Sequence, residues 1–159
     1  MIVAFNLIFE NVIKENELDL HTSTIINIKN YKMIHAESEK VNFKTRFSHD
    51  EHSAYSDTTI DKGGSNSGFR PHELLEAAVA CCMNMHIRMF AENHKMDVSH
   101  VKTEVSLNRN DPEFCKFEYK VEIDGKLTGL EKEKLMQVVQ SCPIKKTLSK
   151  RMEFIQINK

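Results

Sequence analysis

The spacing of apolar side chains changes repeatedly along the chain. Ile2, Phe5, Phe9 and Ile13 fall at rough helical intervals, which suggests an N-terminal helix or arm over residues 1–21. Ser23 to Ile34 is rich in Ile and Tyr and reads as a strand. Val41, Phe43, Thr45 and Phe47 alternate with Asn42, Lys44 and Arg46, the pattern of a half-buried strand. Residues 48–70 are polar and contain Gly63-Gly64-Ser65-Asn66-Ser67-Gly68, the clearest loop signal in the chain. A long helix is predicted from Pro71, where proline is tolerated because the first-turn N–H has no intrahelical partner. Glu73 and Glu76 suit the positive end of its dipole. Its expected buried stripe is Leu74/Leu75, Ala78, Cys82, Met85 and Met89, ending near Asn93 to Lys95.

Beyond this helix the period returns to two. Val101, Thr103, Val105 and Leu107 alternate with polar residues, as do Cys115, Phe117, Tyr119, Val121 and Ile123. Residues 108–112 would link them as a hairpin, with Cys115 on the apolar side of its strand. Leu135, Val138, Val139 and Cys142 then mark the apolar face of a second helix, from about Leu130 to Ser141. Pro143 breaks it and opens a short helix to Ser149, and Met152 to Ile157 reads as a last strand. The order predicts an α+β fold with helices against an antiparallel sheet, in a single domain over 22–159.

Composition narrows the function. In 159 residues, 40% are hydrophobic, enough for a core without disulfide staples. The net charge of −1 offers no basic footprint for nucleic acid or an anionic membrane. The N-terminus lacks the charged region and cleavage site of a signal peptide, and no run approaches the ~20 apolar residues of a membrane span. A cytoplasmic protein with reduced thiols is expected. Cys81, Cys82, Cys115 and Cys142 contain no CxxC spacing and suggest neither a disulfide framework nor a zinc ribbon.

Two of these cysteines carry candidate chemistry. Cys82 and Cys142 lie on the apolar faces of different helices, and helices covering one sheet can bring such faces together. If their Cα atoms come within about 4.4–6.8 Å, a disulfide can form. Cys142 precedes the proline of a new helix and is a candidate N-cap, where the helix end favours thiolate. A thiolate that attacks a peroxide becomes a sulfenic acid, which condenses with a second thiol. The competing reading is plain packing, since free cysteine is commonly a small buried hydrophobe. Cys115 fits that reading, and Cys81 is a bystander or a spare thiol.

Other chemistries find less support. Cys82 and His86, at i and i+4, could share a metal, as could His49 and His52 at i and i+3. Zinc wants four ligands, and no third or fourth is evident, so no metal or cofactor is expected. There is no P-loop, no dinucleotide glycine pattern and no GxSxG elbow.

The segment Pro71-His72-Glu73-Leu74-Leu75-Glu76-Ala77-Ala78-Val79-Ala80-Cys81-Cys82 resembles the signature of the OsmC/Ohr family (osmotically inducible protein C and organic hydroperoxide resistance). There a Pro-x-Glu/Asp-Leu-Leu segment leads into an alanine-rich helix, and the reactive cysteine stands eleven residues after the proline, here Cys82. Met85, Arg88, Met89, Phe90 and Ala91 continue the likeness. Ser141-Cys142-Pro143-Ile144-Lys145-Lys146-Thr147-Leu148 is similar to the second motif of that family, and the resemblance spans roughly residues 22–157. It implies an intertwined α+β homodimer, antiparallel sheets on a long central helix, and active sites at the subunit interface. It further implies peroxidase chemistry on organic hydroperoxides, in which Cys82 attacks, Cys142 resolves, and a thiol reductant resets the disulfide. A glutamate and an arginine would hold the thiolate, matched here by Glu73 and Arg46, with Arg70 and Arg88 as other candidates. In the peroxidase branches the glutamate directly follows the proline; here His72 does, and Glu73 comes next. That departure favours a second reading, a non-enzymatic relative holding a small apolar ligand at the dimer interface.

Overall fold

The computed structural model describes residues 32–157. The chain divides into two compact units, 1–33 and 34–159, and only Lys32 and Met33 of the first are described. The expected arm over 1–21 and most of the expected strand over 23–34 therefore lie outside the described residues.

The second unit opens with three antiparallel strands, β1 (His35–Ser38), β2 (Thr45–His49) and β3 (His52–Ser56), in the order β1-β2-β3. The strand expected from Val41 begins only at Thr45. Val41 and Phe43 sit exposed in the preceding turn, with Phe43 at a φ of 61°. β3 falls within the stretch taken as loop. Its sequence, His-Ser-Ala-Tyr-Ser, has no apolar alternation because only Ser56 is buried; pairing with β2, from Thr45↔Ser56 to His49↔His52, defines it.

The glycine-rich segment that follows is tied down by one carboxylate. Asp57 is 2% exposed. Its Oδ2 accepts the backbone N–H groups of Ser65 and Ser67, both at 3.0 Å, and their hydroxyls at 2.7 and 3.1 Å. Its Oδ1 accepts the N–H of Thr58 at 2.8 Å. The N–H of Ser67, the hydroxyl of Ser65 and the remaining N–H groups hold this carboxyl far below the usual carboxylate range, against burial. The loop passes so close to its own start that a Cβ on Gly64 would lie 2.3 Å from the Thr58 carbonyl oxygen. The N–H of Asp57 reaches the Phe69 carbonyl at 3.2 Å, closing the loop where the next helix begins.

That helix, α1 (Pro71–Asn93), starts with Pro71 at its first position. The Glu73 carboxylate accepts the N–H of Arg70 at 2.8 Å and its Nε–H at 2.8 Å, and ion-pairs with the same guanidinium. By length and composition alone α1 is apolar enough to cross a membrane, a test that core helices also pass. Here it packs on the hairpin of β4 (Val98–Asn108) and β5 (Lys116–Gly125). Three polar ties fix its register on β4. Asn84 donates to the Val101 carbonyl at 2.7 Å, Thr103 donates to the Ala80 carbonyl at 3.0 Å, and Glu76 accepts the Leu107 N–H at 2.7 Å.

The buried stripe of α1 is Val79, Met83, Ile87 and Ala91. At 3.6 residues per turn, the expected stripe lies about 150° around the helix from this one. Leu75, Met85 and Met89 are exposed, and Cys82 sits at the border between the two faces. Both faces are apolar, so periodicity could not choose between them; packing on β4 did. Replacing a fully buried side chain such as Ile87 with alanine typically costs a core about 2–5 kcal/mol.

The hairpin matches its period-two pattern, with Val101, Thr103, Val105 and Leu107 turned inward opposite Ile123, Val121, Tyr119 and Phe117. Cys115, expected on the apolar side, precedes β5 and is exposed. Next comes α2 (Gly129–Gln140), capped by Thr128, whose Oγ1 accepts the Glu131 N–H while Glu131 accepts the Thr128 N–H at 2.8 Å. Leu135, Val138 and Val139 are buried, as predicted. A short helix α3 (Pro143–Leu148) follows directly. The predicted strand over Met152 to Ile157 does not form among the described residues; Phe154, Ile155 and Ile157 are exposed and unpaired in any ladder.

Candidate active site

The end of α2 brings Cys142 against α1. Its Sγ lies 3.2 Å from the Sγ of Cys82, and both thiols are reduced. Cys142 is completely buried, whereas Cys82 is partly exposed. An entering molecule therefore meets Cys82 first, with Cys142 behind it. Cys81 and Cys115 are exposed and stand apart from this contact.

The N-terminus of α3 acts on the pair in an unexpected way. Cys142 is its N-cap residue, but its side chain makes no capping hydrogen bond. Instead the backbone N–H of Ile144, in the first turn, acts on the sulfur of Cys82 and favours its thiolate. The thiolate-favouring helix end predicted for Cys142 acts instead on Cys82, because the Cys142 side chain makes no capping hydrogen bond and the Cys82 sulfur lies beside the first turn. Burial still pushes the Cys82 thiol up, Ile144 works against that, and the neighbouring Cys142 sulfur adds to the rise.

Glu73 and Arg46 are not drawn to the thiols within the chain. Glu73 precedes Cys82 by nine residues, about 13 Å along the helix axis, and is engaged by Arg70. Arg46 lies on β2, opposite Glu37 and Tyr55, and faces solvent. Arg88 is exposed on α1. His86, considered above as a metal ligand with Cys82, bonds Ser141 instead, with Nε2 3.1 Å from Oγ. Among the described residues no group of three or more His, Cys, Asp or Glu side chains could hold a metal ion.

A groove of about 740 Å³ runs beside α1, lined mainly by apolar side chains including Leu75, Val79, Phe117, Leu148 and Phe154. Lys145 enters it, donating from Nζ to the Tyr119 hydroxyl at 3.2 Å and to Gln140 Oε1 at 3.1 Å. Periodicity gave no hint of the Lys145–Tyr119 contact, which joins positions 26 residues apart. Cys115 lines this groove, whereas Cys82 and Cys142 do not.

The arrangement has counterparts among known proteins. No curated protein matches the sequence. Among solved structures, an OsmC-like protein from Mycoplasma pneumoniae superposes with a TM-score of 0.63 at 16% identity, over 76% of this chain and 89% of that one. An organic hydroperoxide resistance protein OsmC from Legionella pneumophila gives 0.55 at 20% identity, over 83% and 92%. The organic hydroperoxide resistance protein OhrB of Bacillus subtilis gives 0.51 at 17% identity, over 74% and 89%. At these identities the likeness establishes the fold. The family model for OsmC-like proteins matches residues 64–156, a span that contains α1, the β4–β5 hairpin, both later helices and the two cysteines 3.2 Å apart. The chain belongs to the OsmC-like protein family.

Proposed function

We propose that this protein is a thiol peroxidase that reduces organic hydroperoxides. The Cys82 thiolate attacks the peroxide, forming a sulfenic acid and releasing an alcohol. The Cys142 thiol then condenses with it, giving a Cys82–Cys142 disulfide and water. A small-molecule or protein thiol resets the pair. The carrying observation is the 3.2 Å sulfur contact between one accessible and one buried thiol. An organic hydroperoxide substrate is in keeping with relatives from Legionella pneumophila and Bacillus subtilis that are organic hydroperoxide resistance proteins.

The test is to mix reduced protein with one equivalent of cumene hydroperoxide, count free thiols and map the bridge by mass spectrometry. Loss of two thiols per chain to a Cys82–Cys142 bridge is expected. Because the Cys82 thiol is raised, its thiolate is the minor form at neutral pH. The rate should climb about tenfold per pH unit and still be rising at about pH 8.5, where an ordinary cysteine is half ionised. Slow thiol loss, or a bridge between other cysteines, would count against the reading. The ligand-binding alternative rests on the distance of Glu73 and Arg46 from the thiols and gains if an apolar molecule co-purifies while peroxide is not consumed.

A second copy of the chain completes the proposal. Leu75, Met85 and Met89 form an uncovered apolar face on α1, and Phe154, Ile155 and Ile157 add exposed apolar surface in the tail. Cys82 borders the α1 face, so a homodimer formed there would put each thiol pair at the subunit boundary. Light scattering should give the mass of two chains, and Met85→Glu with Met89→Glu should shift it to one. A wild-type protein that stays monomeric at high concentration would refute the dimer.

A further inference from the structure

Cys82 and Cys142 are carried by elements with few polar ties between them. Beyond the thiol contact and the Ile144 N–H, one side-chain hydrogen bond joins α1 to the α2–α3 corner among the described residues. It runs from His86, one turn past Cys82, to Ser141, the neighbour of Cys142. The Ser141 hydroxyl donates its proton to the Val138 carbonyl at 2.8 Å. A hydroxyl has one proton to give, so its oxygen accepts from His86, and Nε2 carries the ring hydrogen. Burial and then the Lys146 ammonium hold the His86 pKa below its usual value, which keeps the ring neutral at pH 7.

We propose that His86 is a positioning residue for disulfide closure, holding the Ser141–Cys142 corner so that the Cys142 sulfur meets the oxidised Cys82. The peroxide step that precedes closure rests on the function proposed above; the latch itself rests on geometry alone. Closure shortens the sulfur separation from 3.2 Å to the length of a covalent bond, about 2.05 Å. That last approach is sensitive to a corner that drifts. The first attack needs the Cys82 sulfur on α1 and not the Cys142 sulfur, so loss of the latch should slow it far less than closure.

Closure can be measured without peroxide. In a Cys81→Ser/Cys115→Ser background, which removes the two exposed thiols, 4,4′-dithiodipyridine reacts with Cys82 to give a mixed disulfide and one thiopyridone. Cys142 then displaces the second thiopyridone, forming the Cys82–Cys142 bond. His86→Leu should leave the first release within about twofold and slow the second about tenfold, the loss of one hydrogen bond's worth of positioning. His86→Gln, whose amide N–H can reach the same oxygen, should recover most of the rate. Ser141→Ala should match His86→Leu, and the double variant should be no slower than either. The latch is wrong if His86→Leu closes at the wild-type rate, if both releases slow equally, or if glutamine fails to rescue. A wild-type protein that closes this way but ignores hydroperoxides would sink the proposed function and leave the latch standing. The reverse pattern would do the opposite.

Discussion

If the proposed peroxidase function holds, Cys82→Ser should abolish hydroperoxide turnover, by at least about a hundredfold, because a serine hydroxyl is a far weaker nucleophile than a thiolate at neutral pH. The fold should survive: Cys82 is only partly buried, and serine is slightly smaller. Cys142→Ser gives a different outcome. Cys82 remains accessible and keeps the Ile144 N–H, so the first step should stay within about threefold while the cycle stops at the sulfenic acid. A sulfenic-acid-specific diketone should then label Cys82 in the Cys142 variant and not in wild type. Stopped-flow peroxide consumption with mass spectrometry separates the cases. Turnover retained by Cys82→Ser would refute the assignment. So would equal first-step losses in both variants, because the two thiols would then not have divided the attacking and resolving roles.

Asp57→Ala should lower the thermal midpoint by roughly 10 °C, a large shift for a chain of this size. Two oxygens there accept five hydrogen bonds, four of them at Oδ2. Removing the carboxylate strands the N–H groups of Ser65 and Ser67 in a partly buried loop, where unmet donors are costly. Asp57→Asn should be nearly as harmful. Whichever way the amide turns, its NH₂ faces backbone donors. The carboxyl titrates lower in the native protein than in the unfolded chain. Its contribution is therefore full above the unfolded value, about 3.9, and is lost as pH falls through the native value. The deficit of the variants should be largest near neutrality and shrink only in strong acid. Calorimetry across that range checks it; a midpoint within 2 °C of wild type would mean the loop does not depend on this residue. Because the loop ends at Phe69, immediately before α1, its loss should also reduce thiol reactivity at Cys82, eleven residues after Pro71.

The parts of the fold legible in the sequence are those whose cause is local. Pro71 opens α1 because a proline excludes itself from later turns. Leu135, Val138 and Val139 mark the buried face of α2 because they fall together on one face while the charged residues and glutamines lie on the rest. The β4–β5 hairpin shows its period of two because one face meets α1 and the other meets solvent. The Cys142-Pro143 step ends one helix and starts another for the same local reason. Those features, with the motif around each cysteine, were enough to pair Cys82 with Cys142 as the candidate site.

What only the tertiary structure decided depends on groups distant in sequence. The working face of α1 is turned well away from the one periodicity suggests, since both faces are apolar and the contact with β4 selects Val79, Met83 and Ile87. β3 left no pattern because its side chains are mostly exposed and its hydrogen bonds belong to β2. Asp57 looks like any loop aspartate until Ser65 and Ser67, eight and ten residues on, fold back to it. The Ile144 N–H on Cys82 and the His86–Ser141 bond exist only once α1 and α3 share a corner. Periodicity records which side chains avoid water along one element. Which thiol receives a helix N–H, and which face finds a partner, is set by the packing of elements against each other.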